Sequence, residues 1–371
     1  MRVALELELC CGQRSGIGIY TYELAKRLKN DENICFQGNV FNFLNRNDNG
    51  ESLKDFVFPI NINTFMSYGV YRRIWHILPL TYRMMFKQAD VTHFFNYIVP
   101  PRVEGKIINS IFDMGYLFFP ETLDPKNLKR IKDDIDYSIE RSDKIITISE
   151  FIKNSMVDIL RIQADKIEVV YAAPSTAAPA EDHWGLQDKF KITGPYLLYV
   201  GNLEPRKNIE RLIQAYALLK KEAGIVHKLV IAGKRAWLYD GIFAVAESEG
   251  LNEDIIFTGF VSEAEKCWLY DGADLFVYPS LYEGFGMPIL EAMRMGTPVV
   301  CSNTSSMPEV GGDAAHFINP LEVTSISEGI YKMLTDKERR EEKIAAGKLQ
   351  AAKFTWEASA KKLIEIYRSM Q

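Results

Sequence analysis

The chain has 371 residues, 47% hydrophobic and 25% charged, ample for two domains with packed cores, and its formal net charge of −5 argues against nucleic acid as the main partner. Five cysteines (Cys10, Cys11, Cys35, Cys267, Cys301) form no Cys-x-x-Cys pair, and their odd number and scattered spacing suit reduced thiols in a cytosolic protein. Glu6 and Glu8 interrupt the first apolar run, so no signal peptide is expected, and no run of about 18 apolar residues exists to span a membrane.

The N-terminal half alternates short apolar runs with helical patterns. Residues 3–9 read as a strand and 19–29 as a helix. Between them stands Gly12-Gln-Arg-Ser-Gly16-Ile-Gly18, whose glycines let backbone approach a ligand closely; a tight strand-to-helix turn accounts for each glycine equally well. No Gly-Lys-Ser/Thr follows, so this is not a P-loop, and the spacing departs from the dinucleotide fingerprint. Residues 64–89 carry Arg72, Arg73, Arg83 and Lys87, no acidic residue, and Trp75, Ile77, Leu78, Met84, Met85 and Phe86. Such a stretch suits contact with anionic lipid, or a helical pair partly buried in the first domain; both readings stay open.

Further strands are predicted over 90–95, 106–112, 144–148 and 167–171, with helices over 127–141 and 150–160. His93 lies in the first of these strands, as a core histidine or a cleft residue. Phe112 and Asp113 close the second, and Ser149 is placed to cap the helix after the third. Asp133, Asp134 and Asp136 superficially suggest a metal motif but sit beside Lys132 in a predicted helix and read as a solvated face. Residues 172–182, small and proline-bearing, form the predicted linker.

A second series follows, with strands over 196–200, 228–232, 255–258, 275–278 and 298–302; Gly201, Gly233 and Gly259 follow three of them. Strand–helix alternation in both halves predicts an α/β protein of two doubly wound parallel sheets, whose ligands bind beyond the carboxyl ends of the strands. Arg206 and Lys207 stand where a helix begins after residue 200. Two cations at the positive end of a helix dipole are unfavourable by a few tenths to about 1 kcal/mol unless answered. Glu204 answers them in the plain structural reading; a bound diphosphate answers them in the functional one. Next comes Glu283-Gly-Phe-Gly-Met-Pro-Ile-Leu-Glu291, between an apolar strand and the Gly296-Thr-Pro298 helix stop. Gly284 and Gly286 place Glu283 in a turn, and Pro288 suits a helix start, which puts Glu291 in the first helical turn. That helix start offers unpaired N–H groups to an anion. The chain closes with an amphipathic helix over 356–369.

The Glu283–Glu291 segment resembles the two-glutamate signature of retaining nucleotide-sugar glycosyltransferases of the GT-B fold, glycosyltransferase family 4. The family's Arg and Lys fall on Arg206 and Lys207, and the likeness covers nearly the whole chain. It implies two Rossmann-like domains facing a cleft: 1–178 on the acceptor side, with the helix at about 356–371 crossing back onto it, and 179–355 binding the donor. It also implies that Glu283 lies by the donor sugar and Glu291 holds the ribose. The backbone of Gly284, Phe285, Gly286, Met287 and Pro288 would meet sugar and diphosphate. Gly201, Asn202, Gly233 and Lys234 would line the nucleotide, with Phe260 and Val261 near the base, and Gly16 and Gly18 would face donor and acceptor. Arg206 and Lys207 would stabilise the departing diphosphate. The chain departs from the family where Ile19 replaces a frequent Arg and Phe112 replaces a His, leaving Asp113 to accept a hydrogen bond from the acceptor hydroxyl. His93 and Phe112 are the remaining cleft candidates.

The resulting expectation is a metal-independent, cofactor-free retaining hexosyltransferase in surface polysaccharide biosynthesis. Its donor would be GDP-mannose first and a UDP-hexose next, and its acceptor a glycan or lipid-linked glycan. It would act in the cytoplasm, with residues 64–89 against the inner face of the membrane, and its oligomeric state stays open. Two alternatives are a catalytically impaired nucleotide-sugar binder and a GT-B sugar-nucleotide epimerase.

Overall fold

The computed structural model describes residues 1–12, 14–45, 50–78 and 81–371. Gln13 of the predicted glycine loop, and Pro79 and Leu80 of the basic segment, lie outside the described residues.

The first sheet contains β1 (Arg2–Glu6), β2 (Cys35–Phe41), β3 (Ile60–Asn63), β4 (Val91–Phe94), β5 (Lys106–Ser110), β6 (Lys144–Thr147) and β7 (Ile167–Val169). Their order is β3-β2-β1-β4-β5-β6-β7, and each neighbouring pair is parallel. The second sheet contains β8 (Tyr196–Val200), β9 (Lys228–Ala232), β10 (Ile255–Gly259), β11 (Leu275–Tyr278), β12 (Val299–Ser302) and β13 (His316–Ile318). Its order is β10-β9-β8-β11-β12-β13, again parallel throughout. Strands covered on both faces read as near-continuous apolar runs. Leu5, Ile108 and Ile146 of the first sheet, and Leu198, Val230 and Val277 of the second, are fully buried accordingly. The strand order reverses between β1 and β4 in one sheet and between β8 and β11 in the other, and such switch points are where doubly wound sheets take ligands.

Strands β2, β3 and β13 were absent from the sequence reading. Polar side chains break the apolar pattern of the first two, and tertiary partners satisfy them: Asn61 Nδ2 donates to Asn39 Oδ1 at 3.1 Å, and Asn39 Nδ2 to the Tyr82 hydroxyl at 3.2 Å.

Two compact units result: Met1–Tyr116, Pro125–Ala172 and Thr355–Gln371 form the first, and Leu117–Asp124 with Ala173–Phe354 the second. This differs from the division at 178/179, since the chain enters the second unit at Ala173 and Leu117–Asp124 also belongs there. The C-terminal helix, Trp356–Ser369, belongs to the first unit. The Thr355 hydroxyl caps it by accepting from Ala358 N–H, Trp356 packs edge-on to Tyr20 at 5.9 Å, and Tyr367 is fully buried. Among the described residues, no helix is long and apolar enough to cross a membrane.

Candidate functional site

In the second unit the loops after β8 and β11 leave the sheet side by side at its switch point. After β8, Pro205–Lys207 forms a single 3-10 turn, and the helix Ile209–Glu222 follows. Asn208, at φ +59°, joins them, and its Nδ2 donates to Pro279 O at 3.0 Å and Pro320 O at 2.7 Å. That amide ties the Arg206–Lys207 turn to the loop after β11, as does the bond from Leu281 N to Arg206 O.

This tie brings Arg206 and Lys207 onto Glu283. Lys207 Nζ lies 2.6 Å from Glu283 Oε1, and Arg206 Nη1 lies 3.6 Å from Glu283 Oε2. The Tyr278 hydroxyl donates to Glu283 Oε1 at 2.8 Å and accepts from Lys207 Nζ at 3.2 Å. Arg206 also donates to Tyr282 O at 2.8 Å and pairs with Glu204 at 3.0 Å. Glu204 thus answers Arg206, as the plain structural reading has it, while Lys207 is answered by Glu283. Burial works against the charged form of Glu283, but Lys207 and then Arg206 outweigh it and hold the carboxyl at about 2. Glu283 is therefore an ionised hydrogen-bond acceptor at neutral pH, unsuited to proton transfer. Burial, with Glu283 close by, pushes the Tyr278 phenol far above its ordinary value, so it remains a donor.

Gly286, at φ +99°, precedes the helix Met287–Met295, whose N-terminus no side chain caps. A positive φ favours glycine here, and Pro288 falls in the first turn, where its missing N–H is of no consequence. Phe285 is buried edge-on to Phe354, and its carbonyl, like that of Glu283, accepts from the Ser306 hydroxyl at 2.9 Å. Glu291 is the fifth residue of the helix, so it lies in the second turn and not, as expected, in the first; the helix begins at Met287, not at Pro288. It is buried with partners of its own: Lys266 Nζ at 2.7 Å from Oε1 and the Tyr270 hydroxyl at 3.1 Å from Oε2. Burial opposes the charge on Lys266, but Glu291 and Glu263 raise its pKa above the usual lysine value.

At the neighbouring strand ends Gly201 and Gly233 meet backbone to backbone. A Cβ on Gly233 would fall 1.8 Å from Gly201 O, so no side chain fits. Asn202 is exposed. Lys234 Nζ stands 5.0 Å from the ring of Phe260, itself 57% exposed, and Val261 beside it is half-buried. These positions follow β8, β9 and β10.

In the first unit two expectations change and one open reading is decided. Gly16 and Gly18 lie within the helix Gly16–Arg27 and not in a loop, because the Ser15 hydroxyl caps it by accepting from Gly18 N–H. A Cβ on Gly18 would fall 2.5 Å from Leu9 O, so close packing requires that glycine. His93 is a core histidine and not a cleft residue. It is fully buried, with Nδ1 2.7 Å from the Tyr367 hydroxyl and Nε2 2.8 Å from Ser110 Oγ, and burial lowers its pKa far below the ordinary value. Phe112 likewise belongs to the core, edge-on to Tyr20 at 5.1 Å. Asp113 is half-buried; its carboxylate accepts from Gly115 N–H at 2.9 Å, and its own N–H donates to the Tyr97 hydroxyl at 3.1 Å. In residues 64–89, Tyr71, Trp75, Tyr82 and Phe86 are buried, while Phe65, Ile77 and Met84 are 89%, 78% and 64% exposed.

Sequence reasoning missed Tyr278, Asn208, Lys266 and Tyr270. Asn208 follows Arg206 and Lys207 directly, but its bonds to Pro279 O and Pro320 O are tertiary, and no local spacing ties Lys266 to Glu291.

Residues 186–350 match the family described as Glycosyl transferases group 1. The chain is 32% identical to O-antigen chain mannosyltransferase B of Escherichia coli over 384 residues, 95% of this chain and 96% of that protein. It is 37% identical to the serotype-specific mannosyltransferase WbdA of Escherichia coli over 233 residues, 61% of this chain and 29% of that longer protein. Among solved structures, HepE of Anabaena in complex with UDP and glucose superposes with a TM-score of 0.77 at 16% identity, covering 100% of both chains. The fold is GT-B, and the chain belongs to the group 1 glycosyl transferases, as a glycosyltransferase.

Proposed function

We propose that this glycosyltransferase moves a hexose from a nucleoside-diphosphate sugar to a glycan or lipid-linked acceptor in surface polysaccharide assembly. The reaction retains the anomeric configuration and needs no metal. The observation that carries the proposal is the joining of Arg206, Lys207 and Glu283 at the β8/β11 switch point, beside an uncapped helix N-terminus.

As the bond from the sugar's anomeric carbon to phosphate breaks, the diphosphate departs with the electron pair and gains negative charge. Arg206, Lys207 and the Met287 N–H would answer that charge, and preorganised donors cost no reorganisation when it forms. Glu283, held ionised, accepts from the donor sugar's hydroxyls. Glu291 has one protein partner on each oxygen among the described residues, and its remaining lone pairs serve the ribose hydroxyls. The acceptor hydroxyl attacks from the face the diphosphate leaves, and its proton passes to the departing phosphate or to Asp113. GDP-mannose is the first donor and a UDP-hexose the second; the mannosyltransferase names of the E. coli relatives support that order. The exposed Phe65, Ile77 and Met84, with Arg72, Arg73, Arg83 and Lys87 in the same segment, support contact with an anionic membrane from the cytoplasmic side.

The test is a panel of nucleotide sugars offered with a glycan acceptor, with and without EDTA, reading product anomer by NMR. GDP-mannose should give a retained product in both, and Arg206→Ala should lower turnover more than donor affinity. Tight donor binding without turnover, or release of an altered donor with no acceptor, overturns the transfer reading. An unchanged Arg206→Ala rate overturns the leaving-group role.

A further inference from the structure

We propose that the first unit carries a separate anion site, a pocket between the helices Tyr68–Ile74 and Pro125–Arg141 that takes a phosphate or diphosphate group. The pocket has a volume of about 540 Å³ and is lined by Arg72, Arg73 and Arg130, with Tyr68 and Trp75 as aromatic wall. The Nε atoms of Arg72 and Arg130 and the indole Nε1 of Trp75 are buried and have no hydrogen-bond partner among the described residues. Buried donors are rarely left without an acceptor, and all three belong to side chains that line this pocket. Burial, and after it the neighbouring Arg130, pull the pKa of Arg72 below its ordinary value. Two carboxylates also line the pocket. Asp134 is engaged by His76 Nε2 at 2.9 Å, and Asp133 is exposed.

The donor geometry selects phosphate. Guanidinium groups match phosphate oxygens with paired N–H bonds, and three arginines line this one pocket. Two sources supply that chemistry: a free phosphate compound and the polar end of a lipid. Phe65 and Ile77, 89% and 78% exposed, flank the same helix and would meet the apolar part of a lipid. None of its residues belongs to the donor set of the second unit, and only its lipid arm rests on the proposed acceptor class.

The test is calorimetric titration of the full chain with pyrophosphate while GDP saturates the donor site. Wild type should still bind pyrophosphate. Arg72→Gln with Arg130→Gln should weaken that binding by about 10-fold or more, and the Lys pair should restore part of it. GDP affinity should stay within about two-fold in every variant, because no substituted residue belongs to the donor site; its loss alone would count against the donor reading instead. Hydrogen exchange on the wild-type chain reads the site without a variant: pyrophosphate should slow exchange in residues 68–76 and 125–141. Phosphatidic acid vesicles, compared with phosphatidylcholine vesicles, separate the sources. Retention that pyrophosphate reverses assigns the lipid, and pyrophosphate binding without retention assigns the free compound. Competition by GDP, undiminished binding in the Gln pair, or absence of protection overturns the proposal.

Discussion

Replacing Glu283 by Gln removes the carboxylate that answers Lys207 while leaving the cation buried. The structure holds that carboxyl at about 2 against an ordinary 4.5, a difference worth about 3 kcal/mol of folding free energy at neutral pH. Breaking a buried pair by deleting one partner costs ~3–5 kcal/mol by the general rule, so the two routes agree at the lower end. Arg206 keeps Glu204 and Tyr282 O as partners, which favours the lower figure. Because the folded-state pKa lies below the unfolded one, the stability is in place above pH 4.5 and is lost as pH falls through about 2. Urea unfolding of wild type and Glu283→Gln should show a deficit of about 3 kcal/mol near pH 7, shrinking to about 1 kcal/mol near pH 3. Binding and catalysis should separate as well: Lys207, freed of its carboxylate, stays available to a diphosphate, so GDP affinity holds while turnover falls. A deficit under about 1 kcal/mol near pH 7, or one equal at both pH values, refutes the pairing as the origin of the shift.

Lys266→Met strips Glu291 of its cation and should weaken nucleotide binding by about 10-fold, with turnover at saturating donor nearly intact and Lys266→Arg recovering part of the affinity; unchanged nucleotide titrations would count against a positioning role. Burial, and then Glu8, raise the Glu6 carboxyl to about 8 from an ordinary 4.5, so its contribution to stability is complete below pH 4.5 and lost as pH rises to about 8. Glu6→Gln keeps the acceptor for Glu8 N–H and should gain a few kcal/mol near pH 8 and almost nothing near pH 4, read by thermal unfolding; equal gains at both would refute it. Phe65→Glu with Ile77→Glu should reduce cosedimentation with phosphatidylglycerol vesicles by about 10-fold or more, since each buried apolar side chain contributes roughly 1.5–3 kcal/mol; undiminished cosedimentation removes this face as the contact.

The two sheets were legible where strands are short apolar runs, three of them ending in glycine: β8, β9, β10 and β11 lie within two residues of their predicted bounds. Strands β2 and β3 were not, because Asn39, Asn61 and Asn63 break the apolar pattern, and the partners that make those amides tolerable come from elsewhere in the chain. At the candidate site, the turn holding Arg206 and Lys207 and the glycine-led helix start at Met287 follow from rules that act over a few neighbouring residues. Gly16 and Gly18 were misplaced for a similarly local reason: the Ser15 cap starts their helix earlier than the apolar pattern does.

The sequence by itself determined the alternating architecture, the glutamate segment and the cationic turn, since backbone sterics, capping and apolar periodicity act locally. Tertiary structure alone decided which charges meet. Lys207 and Glu283 are 76 residues apart, Lys266 and Glu291 25, and His93 and Tyr367 274. A buried charge or imidazole keeps its state only through the partners the fold delivers. Those partners make Glu283 a fixed anion and Glu291 the tail of a separate buried pair, and they retire His93 to the core.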